Sequence, residues 1–171
     1  MSIKKSKIEN LIREYLLDEG ILREKLPGSD FDFGFIFSFP PRPKSQRMST
    51  FKLRDKNFIV ISIRIQISKS QINTLNSLKD NKKIQFFVDL RKFFLIKEVF
   101  FRIDIQNYRY EINDQLYINN DGIISKDSFF KTIRKIFYCF VYSNIILGEY
   151  CSGKEIQASK FGSDFDLSLY T

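Results

Sequence analysis

The sequence has no histidine, no tryptophan and only two cysteines among its 171 residues. Without histidine, acid–base chemistry would need a carboxylate or a lysine with a shifted pKa. Cys139 and Cys151 have the spacing of neither a zinc site nor a redox pair, which favours a reduced, cytoplasmic protein. Because no intact catalytic or cofactor motif is present, we expect a non-enzymatic protein without a cofactor.

Long hydrophobic runs are also absent. The most apolar stretch, Ile136 to Leu147, is too short to span a bilayer and is interrupted by Ser143 and Asn144. The first residues lead into an amphipathic segment with Glu and Arg and lack the apolar core of a signal peptide. We expect no membrane insertion.

Basic residues exceed acidic ones by 28 to 20, a net charge of +8, and the excess lies in residues 1–96. A polyanion-binding surface would arise if the predicted helices near residues 82–96 and 126–147 lay side by side. Its candidate residues are Lys82, Lys83, Arg91, Lys92, Lys131, Arg134 and Lys135. A solvated, lysine-rich surface explains the same residues, so nucleic-acid binding is the alternative function.

Two hydrophobic periodicities, one helical and one of period two, predict secondary structure in the first half of the chain. Apolar residues from Ile8 to Leu16 recur at helical spacing, and Gly20 stands where such a helix ends. Period-two alternation predicts strands over Phe31 to Phe39 and Phe58 to Ile67. A shorter strand is predicted over Phe51 to Arg54.

The segment Pro41 to Ser49, which includes Lys44, has the composition of a mobile basic loop. Beyond it, Ser68 or Ser70 is a possible N-cap for a short helix, and a second helix is predicted from about Lys82 to Ile96. Two further strand patterns cover Val99 to Ile105 and Tyr108 to Ile112, with Leu116 and Ile118 as a continuation or a separate strand. Tyr108, Tyr110, Asp104 and Glu111 offer acid–base groups there, but cross-strand pairing is the favoured role.

The last predicted helix runs from about Lys126 to Leu147, with Ser125 as its N-cap and Gly148 at its end. Its apolar residues occupy more than one side, which favours contact with a second chain, either a homodimer partner or another protein. The possible interface residues are Phe137, Tyr138, Val141, Tyr142 and Ile145.

Two strings near the end of the chain imitate functional motifs. Gly148 to Glu155 is close to a phosphate-binding loop, but Glu155 replaces the required hydroxyl and the string follows a helix rather than a strand. Gly162 to Leu167 has the alternating Asp residues of nucleotidyltransferases, and the same Gly-Ser-Asp-Phe-Asp string occurs at Gly28 to Asp32. Alternating Asp and Phe more commonly marks the two faces of a strand, so we assign neither string a function.

Three stretches together resemble an uncharacterised, mainly archaeal protein family. They are Gly28 to Phe33 before a strand and Phe39-Pro40, the helix from Lys83 to Leu95, and Asp121-Gly122 followed by Lys126-Asp127-Ser128-Phe129. The resemblance covers roughly Ile8 to Leu147. It implies the type III secretion chaperone-like fold, in which an antiparallel sheet is backed by helices and the protein often dimerises and binds polypeptides; it implies no catalytic residues.

These patterns predict one α+β domain over residues 1–148, with an antiparallel sheet and helices on one face. Residues 149–171 are predicted to form a loosely held tail, because their apolar density is low. The function predicted first is a protein-interaction or chaperone-like module.

Overall fold

Six strands and four helices make up the part of the chain that the structure, a computed structural model, describes: residues 2–43 and 45–152. In chain order the elements are α1 (Ser2–Asp18), β1 (Leu22–Lys25), β2 (Phe31–Phe39), β3 (Gln46–Leu53), β4 (Phe58–Gln66), α2 (Lys69–Ser77), α3 (Asp80–Ile96), β5 (Phe100–Asp104), β6 (Arg109–Tyr117) and α4 (Lys126–Ser152). The strands form one sheet in the order β1-β2-β3-β4-β6-β5. Every neighbouring pair is antiparallel, which confirms the predicted α+β class.

The helices cover one face of this sheet, as predicted. Inner-face residues meet them directly: Phe39 contacts Phe137 of α4, and Phe101 contacts Phe94 of α3. The opposite face carries exposed residues such as Arg64 and Phe100. The largest fully buried side chains are Phe33, Phe37, Phe86, Phe87, Phe94, Phe129, Ile12, Leu16, Ile21, Met48, Ile59 and Ile61.

Alternation in β4 is less strict than its sequence predicts. Val60 and Ser62 on the outer face are also buried. The Ser62 hydroxyl donates to Glu111 Oε1 across the strand pair at 2.6 Å. A long side chain from β6 thus covers a small residue of β4 and satisfies its polar group.

The loop predicted at Pro41 to Ser49 is shorter than expected. Its last residues belong to β3, where Phe39 pairs with Gln46 and Phe37 pairs with Met48. Met48 and Thr50 are buried on the inner face. The segment was predicted as a loop because the residues around Met48 are polar. Its strand conformation is instead determined by pairing with the phenylalanine-rich β2. Lys44 lies outside the described residues.

Strand β1 was not predicted, and β6 is one strand rather than two. Leu22–Lys25 is short and has a single apolar residue, so its sequence carries no period-two pattern. It forms by pairing with β2 at the sheet edge. In β6, pairing with β4 is continuous from Arg109 to Tyr117, which settles the alternatives that its sequence leaves open.

Two predicted helix ends are confirmed by their hydrogen bonds. After α1, Gly20 has φ 65° and donates to the Leu17 carbonyl, while Ile21 donates to the Leu16 carbonyl. This pair of bonds closes the helix in the Schellman pattern. For α2, Ser68 is the N-cap, and its side chain and that of Gln71 form a capping box.

Helix α4 begins as predicted but extends further. The Ser125 hydroxyl accepts from the Ser128 backbone N–H at 3.1 Å, which is the expected N-cap contact. Gly148 does not end the helix, since α4 continues to Ser152. The following turn packs on α3: the Tyr150 ring contacts Phe86, and its hydroxyl donates to Asp89 Oδ2 at 2.6 Å. Packing therefore offsets the low helix propensity of glycine.

Residues 149–152 thus belong to α4 rather than to a tail. The remaining residues of the predicted tail, 153–171, lie outside the described residues.

Candidate functional site

Helices α3 and α4 pack antiparallel and leave a groove between them. At one end of the pair Phe86 contacts Tyr150, and further along Phe93 stacks on Tyr142 with ring centroids 4.3 Å apart and planes 25° from parallel. Helix α3 ends at Ile96, whereas α4 extends past this point toward its own start at Lys126. The surface of α4 beyond the end of α3 is therefore left partly open.

This α3–α4 groove encloses about 720 Å³. Such a volume lies within the range of small-molecule pockets. Its lining residues are Phe93, Ile96, Lys97, Lys131, Arg134, Lys135, Tyr138, Cys139 and Tyr142. Apolar surface is unusually exposed here: Ile96 is 76% exposed, Tyr138 48% and Tyr142 41%.

Three residues on successive turns of α4 define the long direction of the groove. Arg134, Tyr138 and Tyr142 follow each other at intervals of four residues. That interval places side chains on one helix face, with a rise of about 6 Å per step. Along α4 the lining therefore changes from a cation to aromatic rings, and Lys97 adds a second cation at the aromatic end, beside Phe93.

The lining is positively charged. Lys135 Nζ donates to Asp114 Oδ2 at 2.8 Å and to the Glu98 carbonyl at 3.0 Å, so its charge is largely compensated. Lys97 Nζ lies 6.0 Å from the centre of the Phe93 ring. Among the ion pairs between described residues, none includes Lys97, Lys131 or Arg134. Three cations thus face the groove without a carboxylate partner from the described part of the chain.

Cys139 lies at the base of the groove and is itself buried. Burial raises the pKa of its thiol to about 11, although the nearby Lys135 and Lys97 act in the opposite direction. The thiol therefore stays protonated near neutral pH, and protonated thiols are poor nucleophiles. Its contribution to the groove is shape rather than reactivity.

The predicted interface residues divide between the groove and the core. Tyr138 and Tyr142 line the groove, while Val141 and Ile145 are half-buried. Phe137 was wrongly assigned to the interface: it is 7% exposed and packs on Phe39 of the sheet. It follows the inner stripe of α4, on which each residue points to the sheet.

The predicted polyanion residues are not brought together. Lys131, Arg134 and Lys135 line the groove, but the four basic residues of α3 do not. Lys83 Nζ donates to Asn76 Oδ1 at 2.8 Å and lies 5.0 Å from the Tyr108 ring centre, near α2. Lys92 pairs with Asp89 at 3.8 Å, and Lys82 and Arg91 are exposed elsewhere on α3.

Sequence reasoning missed the contribution of α3 to the groove, namely Phe93, Ile96 and Lys97. The available signal was the run Phe93-Phe94-Leu95-Ile96, because four consecutive apolar residues cannot all face the core from one helix. Phe94 is buried, whereas Leu95 and Ile96 are exposed.

The acid–base candidates on the sheet have the predicted cross-strand role. Glu111 Oε2 accepts from Arg64 at 3.1 Å, and Asp104 Oδ2 pairs with Arg109 at 2.9 Å. Hydrogen bonds from Asn107, followed by that from Arg109, lower the pKa of Asp104. Tyr110 is buried in the core. Asp104, Tyr110 and Glu111 line one pocket of about 370 Å³. Both of its carboxylates are paired with arginines, Glu111 with Arg64 and Asp104 with Arg109, which favours a role in stabilising the sheet.

The two motif-like strings fall partly or wholly outside the described residues. Gly148 to Ser152 is α-helical, so its backbone N–H groups are engaged within the helix and cannot cradle a phosphate as a loop would. Gly153 to Glu155 and Gly162 to Leu167 lie beyond the described range.

Metal-binding clusters and membrane-spanning helices are both absent from the described residues. Within 2–43 and 45–152, no group of three or more Cys, Asp or Glu residues is placed to hold a metal ion. Over the same residues, no helix has the length and hydrophobicity that crossing a bilayer requires.

The fold and the groove define a class: an α+β protein with a six-stranded antiparallel sheet, helices on one face and a cationic, aromatic groove between two of them. Residues 8–147 match the model of a family described as an uncharacterized conserved protein, DUF2299, and the chain belongs to this family. No curated protein matches the sequence.

The fold is also found in the crystal structure of an uncharacterized protein from Methanothermobacter thermautotrophicus. The two share 19% identity and superpose with a TM-score of 0.74, over 83% of this chain and 97% of the other. At that identity the similarity shows the fold alone. The predicted kinship with an uncharacterised family is confirmed, and this structural neighbour is archaeal.

Proposed function

We propose that this protein is a small, non-enzymatic, cytoplasmic interaction module that holds a segment of another polypeptide in the α3–α4 groove. The exposed aromatic surface of Tyr138 and Tyr142 beside Ile96 carries the proposal. Tyrosine, phenylalanine and arginine are enriched at protein interfaces, and partly sheltered aromatic residues commonly dominate binding energy. The groove combines all three residue types.

A chaperone-like fold is part of the same proposal. Antiparallel strands backed by helices on one face support it, as does an open groove on the helical side. A protein of this kind would bind extended or helical segments of its partner without altering them chemically.

Fluorescence anisotropy with the full chain tests this function. The labelled probes are a panel of synthetic peptides that differ in charge and in aromatic content, and a single-stranded oligonucleotide. We expect saturable peptide binding that Tyr138→Glu weakens by about tenfold, since charge in an apolar contact is unfavourable. Tyr117→Glu is the matched control, because Tyr117 is 66% exposed and lies on β6 outside the groove. Absence of binding to every peptide would contradict the proposal.

Nucleic-acid binding is the second candidate, because Lys131, Arg134 and Lys135 lie beside aromatic rings. Two observations make it weaker. The stacked Phe93 covers one face of the Tyr142 ring, and the basic residues of α3 lie elsewhere. Oligonucleotide binding that falls steeply with salt and is lost in Lys131→Glu would favour this candidate over the first.

The homodimer predicted from the sequence remains a proposal. Two copies joined groove to groove about a two-fold axis would bring like charges together, since the groove carries four cations. We therefore expect a dimer to use another surface. Light scattering measures the oligomeric state, and a dimer that Tyr142→Glu dissociates would contradict this assignment.

A further inference from the structure

The charge of the α3–α4 groove narrows the class of its ligand. Resting on the function proposed above, we infer that the groove binds an acidic segment of a partner protein that carries aromatic or aliphatic anchor residues. Complementary charge and apolar contact are both expected of the ligand. Three of the four cations in the lining have no carboxylate partner among the described residues, and Ile96, Tyr138 and Tyr142 are 76%, 48% and 41% exposed.

The cations supply the first half of the inference. Lys97, Lys131 and Arg134 have no carboxylate partner among the described residues, and no described Asp or Glu lines the groove. A ligand that covers them removes them from water, and an unpaired cation is costly to desolvate. A neutral or basic segment would leave that cost uncompensated, whereas carboxylates would pair with these groups.

The order of residues along α4 supplies the second half. Arg134 and Tyr142 are separated by two turns, or about 12 Å of helix rise. An extended ligand covers that distance with about four residues. Along α4, its acidic residues should therefore lie toward Arg134 and Lys131, and its anchors toward Tyr138 and Tyr142. Lys97, which lies beside the Phe93 ring that stacks on Tyr142, should meet a further carboxylate among the anchors.

The other occupants fit less well. A second copy would present the same cations, and a nucleic acid could not stack on the face of the Tyr142 ring that Phe93 covers. An acidic polypeptide satisfies the charge without needing a free aromatic stack.

Anisotropy with four matched peptides tests the inference on the full chain. In the first peptide Asp residues alternate with Phe and Leu. The other three replace Asp by Asn, Asp by Lys, or Phe and Leu by Ala. At low salt we expect the first to bind about tenfold more tightly than any other, because two or three ion pairs and the anchors act together. High salt should reduce its advantage over the Asn peptide but not over the Ala peptide.

Charge reversal in the protein gives the sharper comparison. Arg134→Glu should weaken the Asp peptide by about tenfold and strengthen the Lys peptide, since the sign at one end of the groove is reversed. Arg91→Glu makes the same change on an exposed part of α3 outside the groove and should alter neither affinity. Tyr138→Ala should weaken the Asp peptide, with Tyr117→Ala as its control. Thermal unfolding of each variant verifies that it is folded.

The outcomes separate the inference from the function on which it rests. Equal affinity for the Asp and Asn peptides, or no effect of Arg134→Glu, would overturn the inference while leaving a polypeptide-binding groove. If none of the four peptides bound, and none of the peptides in the earlier panel bound, both the inference and the proposed function would be overturned. If an oligonucleotide bound more tightly than the Asp peptide and displaced it, the inferred ligand would be a nucleic acid rather than an acidic polypeptide.

Discussion

Tyr110 of β6 and Ser143 of α4 form a hydrogen bond in the core, with 2.8 Å between the phenol oxygen and Oγ. Ser143 also donates to the Phe140 carbonyl at 2.7 Å. Because a serine hydroxyl has one proton, Tyr110 is the donor in the pair. This buried polar bridge links the middle of the sheet to the helix that carries the groove, in addition to the ion pair between Asp114 of β6 and Lys135 of α4.

Removing the two partners should have unequal effects. Ser143→Ala leaves a buried phenol without an acceptor and should lower the free energy of unfolding by about 1–3 kcal/mol. Tyr110→Phe leaves Ser143 bonded to its helix carbonyl and should cost about 1 kcal/mol. Denaturant unfolding of both variants and of the double variant measures the difference. If Tyr110→Phe instead lost more stability than Ser143→Ala, the Tyr110 hydroxyl would have another acceptor in the Ser143→Ala protein.

The same phenol makes stability depend on alkaline pH. Burial raises the pKa of Tyr110 to about 12. An unfolded tyrosine titrates near pH 10, so between about pH 10 and 12 the unfolded chain loses this proton while the folded chain keeps it. The stabilisation by the neutral phenol is complete below pH 10 and decreases by about 1.4 kcal/mol per pH unit above it.

Comparison with Tyr110→Phe isolates this contribution, because Tyr15 and Tyr150, whose pKa values are also raised, are present in both proteins. We expect the unfolding free energy of the wild type to fall more steeply above pH 10. Parallel pH profiles would contradict a raised pKa at Tyr110. Tyr117→Phe, at an exposed position, should keep the wild-type slope.

Gly148 and Gly122 offer a matched pair of glycine substitutions. A methyl group at either position would have no heavy atom within 4 Å, so both sites have room for alanine. Gly148 lies inside α4, where alanine is the better helix former, and Gly148→Ala should stabilise the protein by about 0.4–1 kcal/mol. Gly122 has φ 76°, so Gly122→Ala should destabilise by about 1 kcal/mol. Chemical denaturation measures both, and effects of the same sign would contradict the helical position of Gly148.

Tyr150 tests whether the last turn of α4 contributes to the fold. Its ring packs on Phe86, and its hydroxyl donates to Asp89. Tyr150→Phe should cost about 1 kcal/mol, because it removes the hydrogen bond alone. Tyr150→Ala should cost about 3 kcal/mol, because the ring contact is lost too. Unfolding free energies identical to wild type would instead support the tail boundary predicted after Gly148.

Periodicity and capping predicted most of the elements of this fold. The phenylalanine alternation of β2 and the isoleucine alternation of β4 indicated their extents because both strands bury a continuous inner face. Strand β1 and the first half of β3 were missed because their conformation depends on pairing with β2 rather than on local propensity. The end of α4 was misplaced because glycine acted as a local stop signal, while the contact of Tyr150 with α3 is tertiary.

The groove was predicted in parts but not as one site. Tyr138 and Tyr142 were assigned to a protein contact, and Lys131, Arg134 and Lys135 to a polyanion contact. All five lie on one face of α4, so their helical spacing alone could have joined them. What no sequence pattern specifies is that the end of α3 lies beside this face. The end of α3 at Ile96 is what opens the space between the two helices.

The groove draws its walls from chain segments that the β5–β6 hairpin separates, with Phe93 to Lys97 before it and Lys131 to Tyr142 after it. Neither wall can position a ligand until the hairpin has paired and α4 has packed on the sheet. Occupancy of the groove is thus coupled by mass action to folding of the whole domain, and a ligand at about one hundred times its dissociation constant would add about 2.7 kcal/mol to stability. A shift in melting temperature therefore reports binding here without a label, and compounds can be screened against this protein before any partner is identified.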